Sequence, residues 1–271
     1  MTGSDPFAPW LARWRLVPDG EPFTTRFGSR LAPVLADGAP AMLKIAGHEE
    51  ERRGGALMEW WAGRGAARVL AREGDALLME RLAGPRSLAA MARSGADDEA
   101  TAILCGVARG LHAPRPEPAP DTLVPLDRWF RSLRVAAARD GGPFSRALPV
   151  AERLLAEPRD VVVLHGDFHH DNVLDGGARG WLAIDPKGLI GERGFEYANL
   201  FRTPDAEIAL EPGRMARRAA IVARAADLDL RRLCEWIFVY AALGAAWSIE
   251  SGHDPGPGLA IAECGEALAG A

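Results

Sequence analysis

The sequence predicts an α+β fold in which a small antiparallel sheet precedes a mainly helical region. Three observations predict it: residues 23–82 read as short apolar runs broken by turn signals, beyond Gly84 the apolar period lengthens to about 3.6, and one non-helical island, Val161 to Asp185, interrupts the helical part. The 271 residues suffice for one large domain or two modest ones, and 48% hydrophobic with 25% charged residues excludes a disordered chain, a collagen-like repeat or a coiled coil.

Segments 23–27, 31–36 and 41–46 are expected strands, with Asp37-Gly38 as a hairpin turn because both residues tolerate positive φ. A second hairpin is expected from 68 to 82 around Glu73-Gly74-Asp75. Between the hairpins, 48–62 carries Leu57, Trp60 and Trp61 at helical spacing behind an acidic first turn. Further helices are expected near 86–93, 97–112, 126–138, 145–156, 211–226, 229–250 and 258–269, with the proline-rich stretch 113–125 as a surface connection. The longest apolar stretch, Trp236 to Trp247, has 12 residues where a membrane span needs roughly 20, so it is read as a buried helix and no membrane partner is expected.

Cys105, Cys234 and Cys264 are too few and too scattered for a disulfide framework, and no secretory leader is visible, so a cytoplasmic location is expected. The net charge of −5 argues against nucleic acid as a partner and permits a cationic one. Of the 32 basic residues 30 are arginine; the two lysines are Lys44 and Lys187.

The island concentrates the chemistry. Val161-Val-Val-Leu164 reads as the end of a buried strand, and it leads directly into His165-Gly-Asp-Phe-His-His-Asp-Asn172, a polar cluster that is costly to place there without partners or a ligand. A glycine-rich turn at 175–180 then closes a hairpin whose expected pairing puts Asn172 opposite Asp185, beside Asp167. Asn172 and Asp185 offer only oxygen ligands suited to Mg²⁺, and Asp167 is free to accept a proton or orient a hydroxyl. An Asp, four intervening residues, an Asn and a later metal-binding Asp is the division of labour of kinase phosphoryl transfer.

His165 to Asn172 with Ile184-Asp185 resembles the catalytic and metal-binding loops of the aminoglycoside phosphotransferase branch of the protein-kinase-like fold. Gly180-Trp-Leu-Ala-Ile-Asp-Pro186, Gly188-Leu-Ile-Gly-Glu-Arg-Gly-Phe195, Ala198-Asn-Leu-Phe201, Gly63 to Leu70 and Ala245-Ala-Trp247 are similar to the streptomycin 6-phosphotransferase and hydroxyurea phosphotransferase subfamily. The resemblance covers about Pro40 to Ala262. It implies a bilobal fold, with residues 1–83 as a nucleotide-binding lobe and 84–271 as a helical lobe carrying the catalytic loops and acceptor site. It also implies ATP with Mg²⁺ as the phosphoryl donor and a cationic aminoglycoside, foremost streptomycin, as acceptor in antibiotic resistance. Hydroxyurea or another small hydroxyl compound is the alternative acceptor.

The resemblance places Lys44 on the α- and β-phosphates, and the sequence agrees that a compact point charge is needed in that apolar strand of an arginine-rich chain. It favours Glu51, then Glu50, as the partner of Lys44. The hinge at Met79-Glu80-Arg81-Leu82 would read adenine through the backbone of Glu80 and Leu82, and Gly28-Ser29 would lie in the phosphate-covering loop. Glu192, Glu196 and Glu250 are candidates to face a polycationic substrate, and Trp247 to stack on it. For Lys187 a surface or salt-bridge role is expected over contact with phosphate or substrate. Two other readings compete: a metal-dependent hydrolase using His165, Asp167, His169, His170 and Asp171, and a pseudokinase that only binds ATP.

Overall fold

The structure, a computed structural model, describes residues 5–25 and 28–270. Helix α1 (Ala8–Arg13) leads into strands β1 (Val17–Pro18) and β2 (Phe23–Thr24); residues 26 and 27 of the strand expected over 23–27 lie outside the described residues. Strands β3 (Arg30–Ala36) and β4 (Ala39–Ile45), helix α2 (Glu49–Trp61) and strands β5 (Val69–Glu73) and β6 (Ala76–Glu80) follow. The six strands form one antiparallel sheet in the order β1-β3-β4-β6-β5, with β2 also on β3.

The two-residue turn between β3 and β4 is Asp37-Gly38, with φ of +48° and +77°, the primed geometry that matches strand twist. The alternation of β4 assigns its faces. Ala41, Leu43 and Ile45 are buried with Val34, Ala76 and Leu78 against Phe7, Trp10 and Leu11 of the α1 region, so Met42 and Lys44 turn the other way, toward the helical part. Helix α1, which has no counterpart among the elements expected from the sequence, covers the outer face of this sheet.

The connector after β6 runs past Gly84, whose N–H donates to the Asp175 carbonyl at 2.9 Å. A Cβ at Gly84 would overlap Asp175, so only glycine permits this approach. Helices α3 (Leu88–Arg93) and α4 (Asp97–His112) follow, then the proline-rich loop, β7 (Val124–Pro125), α5 (Leu126–Trp129), α6 (Arg131–Asp140) and α7 (Gly142–Ala156). The single helix expected over 126–138 is broken at Phe130, which is fully buried between the rings of Phe195 and Trp236. Strands β8 (Val161–Leu164), β9 (Val173–Asp175), β10 (Trp181–Ala183) and β11 (Leu189–Glu192) make the island, and α8 (Arg193–Ala198), α9 (Ala206–Ala209), α10 (Arg214–Ala226), α11 (Leu230–Glu250) and α12 (Gly256–Gly270) complete the chain.

The strand reading of Val161 to Leu164 needs a correction. β8 is the edge of a small sheet, paired only with β11, which in turn runs parallel to β7; Val161 is 54% exposed and only Leu164 is buried. Helix α11 is the one helix among the described residues long and apolar enough to cross a membrane, and 72% of its apolar window is buried by α7, α8, α10 and α12.

A buried ionic network joins the helices to the polar loop. Asp97 accepts from Arg214 Nε at 2.9 Å and Nη2 at 2.7 Å, and Arg218 Nη1 lies 3.7 Å from the same carboxylate. Arg218 also donates to the Leu200 carbonyl at 2.9 Å and to His170 Nε2 at 3.0 Å, which leaves the His170 proton on Nδ1 to face Thr203 Oγ1 at 2.9 Å. Burial, then the positive charges of Arg218 and Arg214, hold the His170 pKa down to about 2. The unfolded imidazole titrates near 6.5, so between these values the unfolded state binds the extra proton and stability falls as pH falls. His170 should contribute a loss of about 1.4 kcal/mol per pH unit below about pH 6. Urea midpoints of the wild type and His170→Gln at pH 7.5, 6.5 and 5.5 measure it; equal slopes for the two proteins would refute the assignment.

Candidate active site

The polar loop between β8 and β9 is held from below. His165 is fully buried; its Nε2 faces the Ile184 carbonyl at 2.7 Å, its Nδ1 accepts from the Asp167 N–H at 3.3 Å, and its ring stacks on Trp61. Burial lowers its pKa, more than the nearby carboxylates raise it. The Glu196 carboxylate accepts from the His165 N–H at 2.6 Å and the Gly166 N–H at 2.9 Å, with His112 Nε2 at 3.3 Å. Burial would push this carboxyl up, but the His112 and Gly166 contacts outweigh it and hold the pKa below the ordinary glutamate value. Asp167 rises from this platform with its Oδ1 accepting from Asn199 Nδ2 at 3.2 Å.

The hairpin β9–β10 pairs one residue away from the expected register. Val173 faces Ala183, and the Ile184 N–H donates to the Asn172 carbonyl at 2.9 Å, so Asn172 stands opposite Ile184 and Asp185 lies one residue beyond. Asp185 still reaches the site because its backbone leaves the hairpin with a φ of +59°, a conformation uncommon outside glycine. Asn172 Nδ2 donates to the Asp167 carbonyl at 2.8 Å, and no donor among the described residues reaches its Oδ1.

A cavity of about 330 Å³ opens between the sheet and this hairpin, lined by Leu31, Met42, Lys44, Met79, Leu82 and Asp185 among others. Lys44 Nζ hydrogen-bonds the Asp185 carboxylate and lies 3.4 Å from Glu51 Oε1. Glu51 Oε2 also accepts from the Gly47 N–H at 2.9 Å and from the Ser29 hydroxyl, tying helix α2 to the loop before β3. Burial opposes the charge of Asp185, and Lys44 more than offsets it, keeping the carboxyl below its usual pKa. Gly54 lets α2 lie directly on the Asp185 segment, since a Cβ there would overlap the Pro186 carbonyl oxygen. At the connector, the Glu80 N–H is taken by the Arg68 carbonyl at 2.9 Å and its carboxylate by the Arg68 N–H and Arg179. The Leu82 N–H has no acceptor among the described residues.

A second cavity, of about 420 Å³, is lined by Asp167 together with Lys187, Trp129, Arg202, Tyr240 and Trp247. Trp247 meets Trp129 and Tyr240 edge to face, at 5.9 and 6.1 Å between ring centres. Lys187 stands among carboxylates: its Nζ is 3.1 Å from Glu50 Oε1 and 3.9 Å from Asp167 Oδ2. Burial works against its charge, and Asp167, Glu50 and Asp185 together raise its pKa above the usual lysine value.

Two expectations for this cavity are corrected. Glu192 is buried beneath the fold, where it accepts from Arg232 at 2.6 and 2.7 Å, Trp236 Nε1 at 2.6 Å and the Arg159 N–H at 2.9 Å. Glu196 is 1% exposed and spends its oxygens on the loop backbone. Neither carboxylate faces a ligand, because a buried charge must be fully hydrogen-bonded and both are. The third candidate, Glu250, lies on the exposed surface outside this cavity's lining and accepts from Ser132 at 2.8 Å. Asn199, Arg202, Tyr240 and Trp129 were not singled out; only Asn199, inside Ala198-Asn-Leu-Phe201, lay in a segment that carried a signal. The hydrolase reading loses its basis, since the described residues contain no group of three His, Cys, Asp or Glu side chains placed to hold a metal ion.

The sequence profile of the aminoglycoside/hydroxyurea antibiotic resistance kinases matches residues 13–252. A streptomycin 3''-kinase of Klebsiella pneumoniae is 49% identical over 256 residues, covering 93% of this chain and 95% of its own length. A streptomycin 6-kinase of Streptomyces griseus is 34% identical over 264 residues, covering 89% and 81%. The fold matches that of an aminoglycoside phosphotransferase from Streptomyces rimosus solved with ADP and streptomycin, at a TM-score of 0.56 and 20% identity over 82% of this chain and 92% of that one. The match across most of the chain, together with two cavities meeting at one Asp-bearing loop, shows that this protein belongs to the aminoglycoside/hydroxyurea antibiotic resistance kinase family.

Proposed function

We propose that the protein transfers the γ-phosphoryl group of ATP to a hydroxyl of streptomycin, with residues 1–83 holding the nucleotide and 84–271 the acceptor. The observation that carries this reading is the placement of one loop: Asp167 lines the aromatic cavity containing Trp247, while Asn172, whose amide donates to the Asp167 carbonyl, lines the apolar cavity containing Lys44. Adenine enters the first cavity against Met42 and Met79 and is read by the backbone at Glu80 and Leu82. Lys44, held by Glu51, pairs with the α- and β-phosphates. Asn172 and Asp185 suit Mg²⁺, since the Asn172 amide nitrogen is committed to Asp167 while no donor among the described residues reaches its side-chain oxygen. Held there, the ion would supply positive charge that offsets the charge of the phosphates. Asp167 orients the acceptor hydroxyl and takes its proton, and Asn199 fixes the carboxylate. Position and charge neutralisation supply most of the rate.

The identity of the acceptor follows the names of the relatives, and the 49% relative favours the 3'' hydroxyl over the 6 position that the sequence resemblance alone suggests. ADP release measured with streptomycin, other aminoglycosides, hydroxyurea and no acceptor tests the reading, with the product position assigned by NMR. Streptomycin should stimulate release at least about tenfold over the no-acceptor rate. Equal rates across the panel would sink the streptomycin assignment and restore the pseudokinase reading.

A further inference from the structure

The chain has 30 arginines and two lysines, and both lysines stand in the cleft, each paired with one of two consecutive glutamates of α2: Lys44 with Glu51 and Lys187 with Glu50. Lys44 belongs to the nucleotide cavity. Lys187 lines the opposite cavity, two residues after Asp185 and beside Asp167. Its backbone N–H donates to the His165 carbonyl at 2.7 Å, so its position is fixed to the loop that carries Asp167. The 3.9 Å separation from Asp167 is too long for a hydrogen bond. The ammonium is therefore a charge held near the reacting carboxylate with donors to spare.

We infer that Lys187 is a further catalytic residue, donating hydrogen bonds to the equatorial oxygens of the phosphoryl group as it passes between the two cavities. The inference rests on the phosphotransferase reading above. In the step, the acceptor oxygen forms a bond to the γ-phosphorus, the bond from that phosphorus to the β,γ-bridging oxygen breaks, and ADP leaves with the electron pair. The hydroxyl proton passes to Asp167, and Lys187 keeps its own. A lysine suits this position better than arginine. A guanidinium at 187 would close a two-pronged pair with the Asp167 carboxylate, whereas an ammonium can turn its three donors to a moving phosphoryl group.

A plainer role exists, in which Lys187 only anchors α2 through Glu50, and the test separates the two. Lys187→Met, Lys187→Arg, Glu50→Gln and Lys187→Cys, the last before and after aminoethylation, are compared for kcat, both KM values, ADP affinity and affinity for ADP with fluoroaluminate in magnesium buffer. Wild type is treated in parallel, since exposed Cys264 reacts as well. Lys187→Met should lower kcat about 10²–10³-fold, in the range of other charge-stabilising donors, keep ADP affinity within about twofold and lose the added affinity for fluoroaluminate. Glu50→Gln should cost less than about fivefold, and aminoethylation should restore most of the cysteine variant's rate. A kcat for Lys187→Met within about threefold of wild type, an equal loss in Glu50→Gln, or retained fluoroaluminate affinity would each overturn the role. Wild-type turnover tests the phosphotransferase reading separately, and the fluoroaluminate comparison reports on Lys187 even if no acceptor is turned over.

Discussion

Changing Asp167 to asparagine should lower kcat by about 10²–10⁴-fold, the usual worth of a positioned proton acceptor, while ADP should bind as it does to the wild type. The reasoning is local. Asp167 lines the aromatic cavity and not the one containing Lys44, and its backbone is fixed by His165 Nδ1 and Asn172 Nδ2, contacts that a change from carboxylate to amide leaves in place. The variant should thus keep the loop and lose the charge proposed to accept the hydroxyl proton. Asn199 makes the expectation sharper: its Nδ2 donates to Asp167 Oδ1, and the amide oxygen of the substituted side chain can accept the same bond. Steady-state kinetics with ADP titration calorimetry checks both halves. A kcat within about tenfold of wild type would remove Asp167 from proton transfer, and a large loss of ADP affinity would show that the loop itself had moved.

The largest expected loss of stability comes from Asp97→Ala. Asp97 is the carboxylate between two buried guanidiniums, Arg214 with both prongs on it and Arg218 at 3.7 Å. Removing it leaves two uncompensated positive charges in the interior, which costs about 3–5 kcal/mol for a broken buried pair and lowers Tm by about 10 °C in a chain of this size. Burial and its neighbour Arg214 already lower the Arg218 pKa to about 9, so the network has no spare negative charge to lose. Because Arg218 also holds His170, activity should fall before the protein melts. Thermal and urea unfolding of Asp97→Ala and Asp97→Asn measures the effect, with the amide variant intermediate. A loss below about 1 kcal/mol would mean that water reaches the arginines.

Periodicity alone located most of the framework. The Asp37-Gly38 turn, α2, α4 and α11 lie where alternation or helical spacing put them, because each depends on residues close in sequence. What was not legible depended on distant partners. The break at Phe130 is made by Phe195 and Trp236, and the pairing of β7 with β11 joins segments far apart in the chain, so neither leaves a local signal. The site divides in the same way. Asp167, Asn172 and Asp185 were visible because a hairpin gathers them, even though the register was off by one. Glu192 and Glu196 were misassigned because a glutamate beside a motif looks the same whether it faces solvent or a buried Arg232 or loop amide. Arg202 and Tyr240 gave no signal, being ordinary residues until Gly244 lets the guanidinium settle onto α11, where a Cβ would overlap it.

The scarcity of lysine also governs how the protein can be handled. Amine-directed chemistry, whether a fluorescent ester, a crosslinker or an activated bead, finds only the α-amino group and two ε-amino groups, and both of the latter sit in the cleft beside Asp185 and Asp167. Labelling that would be scattered and harmless on a lysine-rich surface falls here on the cleft itself. Attachment through the exposed thiol of Cys264 avoids it.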